Sequence, residues 1–294
     1  ITIEQSGNID VAQYLSLHHS NTSSNDESIS LTDGAIQAKL VVTDSDGDAV
    51  PATVDIGSHI RFDDDGPSLV GTGPSTPYFV DEGDIVTLQA IGTSPNDGTH
   101  GNDGSYTGSK SGDIGAGPAV VSGSVAGAVD FGADGNGGFS FAAGAATTLA
   151  GLGLTSNDGK LSYALIDGGH TIVAYVNQTV FPGFPNSDYQ PLVDRTIFTL
   201  TLDPTTGDFT FKLYDQLDHV SGGGHNTDLQ GANGPVSGLD FGSLIVATDG
   251  DGDHVTLDGK LTIDITDDTP QISTAVNPPG YVTLYESARV QGLP

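Results

Sequence analysis

The hexapeptide TDSDGD at 43–48 returns as TDGDGD at 248–253, and it returns in company. DDGP at 64–67 is matched by DDTP at 267–270, YLSLHH at 14–19 by YDQLDH at 214–219, and YFVDE, ending at Glu82, by VTLYE, ending at Glu286. The separations are 200 residues from His19 to His219, 205 from Asp44 to Asp249, 203 from Asp64 to Asp267 and 204 from Glu82 to Glu286. Four landmarks in one order at nearly one spacing mark an internal repeat, and the small differences are of the size loops absorb. On this reading 1–67 is the C-terminal half of one unit and 68–274 is a complete unit. Residues 275–294 are then either the first strand of a third unit or a returning half that completes 1–67. Such a chain reads as a piece of something longer.

Within the repeat the local signal is β. GGFSFA (137–142), KLSYALI (160–166), HTIVAYV (170–176), TIFTLTL (196–202) and GDFTFKLY (207–214) place large residues two apart, which aims them at one sheet face. The runs are separated by Gly, Asp, Asn and Ser, and no window sustains a helical period, so any helix should be a short turn. With 42 Gly and 15 Pro spread through turns, the expected class is all-β, an antiparallel β-sandwich with long loops. Cysteine is absent, so neither disulfides nor thiolate-metal sites stabilise it. There is no apolar run of membrane-spanning length and no cleavable leader pattern.

The acids supply the missing stabiliser. Thirty-eight Asp and Glu stand against 8 Lys and Arg, a formal net charge of −30, which argues against nucleic acid and anionic membranes as partners. In Asp44, Asp46 and Asp48, and again in Asp249, Asp251 and Asp253, carboxylates alternate with a Gly before the third. Like charges this close repel by roughly 1 to 4 kcal/mol per pair at about 4 Å, and a bound cation reverses the sign. Ca²⁺ takes 6 to 8 oxygens from carboxylates, carbonyls and water, which such a loop can supply; Mg²⁺ keeps its waters and wants fewer protein ligands. The loop is no EF-hand, since Gly47 stands fourth and the twelfth residue is Asp55 in one copy and Lys260 in the other. Further acids fall where a junction between units is expected: Asp63, Asp64 and Asp65 before Pro67, Asp267 and Asp268 before Pro270, and Asp81, Glu82 and Glu286 in first strands. Loop, linker and first strand are expected to converge there and hold several Ca²⁺ ions. A weaker candidate is the stretch 130–138, with Asp130, Asp134 and Asn136.

Catalytic patterns are missing. HExxH and GxSxG do not occur, cysteine nucleophiles are impossible, and GSYTGSKS (104–111) has Ser109 where a phosphate-binding loop needs its second Gly. The paired His18 and His19 read as loop hydrogen-bonding groups rather than ligands, because the matching copy has Asp218 and His219. Trp is absent, which removes the usual sugar-stacking platform of a glycosidase. The chain is not expected to be an enzyme.

FGADGNGGFSF, LTSNDGKLSYAL, RTIFTLTLDPTTGDFTFKLYDQLDH and the closing ATDGDGD with ITDDTP resemble the repeat of giant type I-secreted adhesins of the RTX class, over about 79–274. The resemblance implies calcium-stabilised Ig-like or cadherin-like sandwiches, secreted to the bacterial surface and acting in cell adhesion. It also implies that 1–67 and 275–294 belong to extender units or to one split extender around a binding module at 68–274. Two functions remain open. In one, the module binds a peptide terminus or glycan on another surface through loops a plain repeat lacks. Those loops are 92–118, with Asp97, Asp103 and Tyr106, and 180–191, with Phe181, Phe184 and Tyr189. In the other, the chain is a ligand-free, calcium-stiffened stalk. Its partners are neighbouring domains of the same adhesin, and it acts as a monomer.

Overall fold

Alternation along the chain becomes two packed layers. The computed structural model describes residues 1–4, 6–22, 24, 26–85, 118–178, 188–222 and 226–267. Its largest sheet is an antiparallel array of six strands in the order Thr155–Ser156, Gly159–Ile166, Thr171–Val176, Arg195–Leu202, Asp208–Leu213 and Ala119–Ser124. Arg195–Leu202 buries Ile197, Phe198, Leu200 and Leu202, and Asp208–Leu213 buries Phe209, Phe211 and Leu213 while Asp208 and Lys212 face solvent. These two strands meet through a turn in which Asp203 Oδ1 accepts from the amides of Thr205 (2.8 Å) and Thr206 (2.9 Å). A short polar side chain that bonds the backbone ahead of it favours a turn over continued strand.

The facing layer holds two three-stranded sheets. One orders Asn136–Phe141, Ile245–Asp249 and His254–Thr256; the other orders Leu239–Asp240, Thr262–Thr266 and Tyr78–Asp81. In the second, Tyr78–Asp81 runs parallel to Thr262–Thr266, so the start of the main body lies beside its end. Phe241 from this layer meets Phe198 and Phe211 of the large sheet, each at 5.8 Å between ring centroids, and seals the core. The architecture is all-β, as the alternation predicts. One α-helix, Ala145–Leu152, exceeds the short turns expected. It buries Ala145 and Leu149, one helical turn apart, and stops at Gly153, whose left-handed φ of +63° closes the C-terminus. Among the described residues no helix is long and apolar enough to cross a membrane.

The repeat is visible in the pairing. In 1–67, Gln37–Thr43 and Ala49–Asp55 form a hairpin around the first acidic loop, and Ser28–Ser30 pairs with Arg61–Asp63. In the main body, Ile245–Asp249 and His254–Thr256 form the hairpin around the second loop, and Leu239–Asp240 pairs with Thr262–Thr266. Their burial differs. Ile245 and Ala247 are fully buried under the large sheet, whereas Leu40, Val42, Val50 and Val54 are more than half exposed. The described part of 1–67 has the hairpin without a covering layer.

Linker and main body are joined by backbone and by a buried cation. Ser68–Leu69 pairs with Val129–Asp130, and Lys260, 8% exposed, donates from Nζ to the carbonyls of Val70 (3.1 Å), Gly71 (3.1 Å) and Gly73 (2.8 Å). Three acceptors use all three ammonium protons, which makes burial of the charge tolerable. The linker is thereby fixed to the body immediately after its acids.

Candidate metal centres

The acidic loop folds identically in its two copies. Asp44 Oδ1 accepts from the amides of Gly47 (3.1 Å) and Asp48 (2.9 Å), and the Asp44 amide donates to the Asp48 carbonyl at 3.0 Å. Asp249 Oδ1 accepts from Gly252 (3.0 Å) and Asp253 (2.8 Å), and its amide donates to the Asp253 carbonyl at 2.9 Å. Each turn requires a positive φ before the third Asp, +101° at Gly47 and +111° at Gly252, a region glycine enters at little cost.

The surroundings separate the copies. Asp44, Asp46 and Asp48 are exposed, with carboxylate oxygens of all three within 4.8 Å of one another. Asp249 and Asp253 are 3% and 1% exposed, because their loop meets residues 1–67. Oxygens of Glu27, Asp64 and Asp253 lie within 4.8 Å of one another, and so do those of Asp134, Asp249 and Asp251. A third group, His19, Asp64 and Asp251, links the two triads. Two carboxylates from 1–67 and four from the main body thus form one continuous centre. Gly250 permits the approach: a Cβ there would lie 2.5 Å from the Asp134 carbonyl oxygen. The first copy, exposed, carries Ser45 instead.

The centre is short of hydrogen bonds. Among the described residues, Oδ2 of Asp64, Asp249 and Asp253, Oδ1 of Asp251 and Oε2 of Glu27 are buried and accept none. Buried carboxylate oxygens without a partner are among the most costly groups a protein can hold. Burial, reinforced by Asp64, Asp249 and Asp251, pushes the Asp253 carboxyl up to about 6, and burial with Asp251 raises Asp249 as well. His19 borders the centre with its ring satisfied, Nδ1 at 2.8 Å from Asp64 Oδ1 and Nε2 at 3.4 Å from the Phe62 carbonyl. Burial opposes charge on this imidazole, but Asp64 outweighs it and raises the pKa from its ordinary value. The hydrogen-bonding role expected of His19 is the one observed.

A second cluster joins Glu82, His219 and Asp267, with ligand atoms within 4.8 Å of one another. It matches the first through the repeat: the Asp64 amide donates to the Glu27 carbonyl and the Asp267 amide to the Asn226 carbonyl, both at 2.9 Å. Glu82 Oε1 accepts from the Leu217 amide at 2.6 Å and lies 3.4 Å from His219 Nε2. Burial raises the Glu82 carboxyl and His219 opposes the shift; burial opposes charge on His219, yet Glu82 prevails and raises it.

The acids therefore pair differently from the expectation. Linker residue Asp64 meets the loop of the following copy, at 249–253, and not the loop of its own copy at 44–48. Glu82, expected in the first strand, opens the 3-10 turn just after it and meets the exit of its own unit at Asp267, because Tyr78–Asp81 and Thr262–Thr266 are parallel neighbours. Loop and first strand therefore occupy separate clusters. Asp63 accepts from Ser28 Oγ, Asp65 Oδ2 from the Ala133 amide at 3.2 Å, and buried Asp81 Oδ1 from the Gly83 amide at 2.8 Å. Of the stretch 130–138 only Asp134 reaches the centre; Asp130 accepts from the Gly132 amide and Asn136 donates to the Thr205 carbonyl. Tyr189 packs on Tyr175 at 5.0 Å between centroids, and its hydroxyl lies 2.7 Å from Thr196 Oγ1. Asp97, Asp103, Tyr106, Phe181, Phe184, Asp268, Glu286 and the segment 275–294 lie outside the described residues. Glu27 also enters the centre, without a recurring acid to mark it in the sequence, since its repeat partner is Asn226.

Fold and clusters together define an all-β protein with carboxylate-lined contacts between its segments. The chain belongs to the family described as Domain of unknown function (DUF5801), which it matches at residues 1–57 and 84–263. No curated protein and no solved structure matches it at a significant level.

Proposed function

We propose that this chain is a calcium-stiffened segment of a secreted adhesin at the bacterial cell surface, in which Ca²⁺ fixes residues 1–67 against the body that follows. One observation carries the reading: five buried carboxylate oxygens without hydrogen bonds belong to acids that cluster across the contact between the two parts. Ca²⁺ suits them because it takes many oxygen ligands in flexible geometry. Glu27 and Asp64 would hold it from one side, and Asp134, Asp249, Asp251 and Asp253 from the other. The bound ion supplies positive charge that turns mutual repulsion into shared ligation.

The chain's own residues do the rest. Asp249 Oδ1 holds the loop through two amides, leaving its second oxygen free to ligate, while Lys260 and the pairing of Ser68–Leu69 anchor the linker that presents Asp64. A stalk needs this arrangement, since a hinge between successive modules would let a terminal peptide- or glycan-binding module fall back toward the cell. The exposed loop 44–48, with the same turn, is proposed to act likewise on a neighbouring module of the same adhesin.

Small-angle scattering of the monomeric chain tests the reading. In millimolar Ca²⁺ the profile should fit one rigid particle, and chelation should raise the radius of gyration and broaden the distribution of distances. Identical profiles under both conditions would overturn it.

A further inference from the structure

The Glu82, His219 and Asp267 cluster shares no residue with the oxygen-only centre, and its chemistry differs. The His219 side chain is 3% exposed, and among the described residues neither ring nitrogen makes a hydrogen bond. Its 3.4 Å approach to Glu82 is an ionic contact without hydrogen-bond geometry, and the Glu82 oxygen concerned already accepts from Leu217 at 2.6 Å. The contrast with the other copy is informative. His19 has a partner at both nitrogens, including Asp64 at 2.8 Å, so that imidazole is fully used. His219 has the same place in the repeat, an ionic contact to Glu82, and no hydrogen bond at either ring nitrogen.

We infer that Glu82, His219 and Asp267 form a site for a divalent first-row transition ion such as Zn²⁺, distinct from the calcium centre. Ca²⁺ prefers oxygen throughout, whereas imidazole suits Zn²⁺ and its neighbours in the series. Charge accounting favours the same occupant. Two carboxylates with a protonated imidazole leave one net negative charge in a buried place, while two carboxylates, a neutral imidazole and a divalent ion sum to zero. One nitrogen and two carboxylates make three protein ligands and leave one position of a tetrahedral ion open. The ion would tie the turn that follows the first strand of the body, through Glu82, to the loop at His219 and to the exit at Asp267. It would reinforce the parallel pairing of Tyr78–Asp81 with Thr262–Thr266.

The test uses the full chain, stripped of metal and dialysed into millimolar Ca²⁺ so that oxygen-only sites are filled. Titration with Zn²⁺ should show one tight equivalent, which His219→Ala abolishes and His19→Ala leaves intact. Co²⁺ should give visible absorption bands that also vanish in His219→Ala. Absence of a tight equivalent, or its survival in His219→Ala, would overturn the proposal. Should that variant fail to fold by circular dichroism, diffraction from the wild-type chain at the zinc edge decides: a peak at His219 supports the site, and its absence refutes it. Neither result depends on whether chelation changes the scattering profile.

Discussion

Removal of calcium is expected to cost the chain about 3 kcal/mol and to release residues 1–67 before the main body unfolds. Extracellular sites of modest affinity have dissociation constants of roughly 0.1 to 1 mM. An ion at about ten times that concentration adds roughly 1.4 kcal/mol, and the centre has two carboxylate triads. The loss falls unevenly because the apolar burial does. Among the described residues of 1–67, Ile56 and Ile60 are the large apolar side chains that are buried, whereas the main body holds Phe198, Phe209, Phe211, Phe241 and the aliphatic residues around them. Hydrogen exchange with Ca²⁺ and with chelator reads both parts at once. Amides of Ser28–Ser30 and Arg61–Asp63 should lose protection on chelation while those of Arg195–Leu202 keep theirs. Uniform loss, or none, would count against the account.

Asp253→Asn is expected to change sign with calcium. Asp253 gives the turn its amide and carbonyl, which Asn retains, so the loop should keep its shape. In chelator the substitution removes a buried like charge beside Asp64, Asp249 and Asp251, and the variant should be more stable than wild type by about 1 to 4 kcal/mol. In millimolar Ca²⁺ it loses an anionic ligand and should be the less stable of the two. Urea denaturation under both conditions measures the crossing. Asp258→Asn, an exposed acid elsewhere, should stay within about 0.5 kcal/mol in either buffer. Parallel shifts for Asp253→Asn in the two buffers would mean that its carboxylate meets no cation.

Much of this was legible in the sequence because its signals are local. Alternation in TIFTLTL and DFTFKL identified the buried faces of two central strands, and the three alternating Asp with a late Gly identified a turn whose hydrogen bonds recur in both copies. The recurrence of DDGP and DDTP placed Asp64 and Asp267 at equivalent positions. Partner choice was not legible. Which loop meets which linker depends on where a hairpin tip falls in three dimensions, and both copies of the loop read alike; the one local difference, Ser45 against Gly250, has meaning only beside Asp134. Glu27 stayed hidden because a lone acid before a short strand looks like any solvated surface residue. The helix Ala145–Leu152 was missed because AATTLAGL has no charged face and too few residues to show a period. In the sequence His219 reads as a counterpart of His19, but equivalent places in a repeat do not guarantee equivalent partners.

The most direct test is diffraction from crystals grown in Ca²⁺, with anomalous scattering used to identify the ions. Anomalous peaks are expected within the centre formed by Glu27, Asp64, Asp134, Asp249, Asp251 and Asp253, each bonded to oxygens from that group. A map with no peak there, at full calcium and with residues 1–67 docked as described, would contradict it.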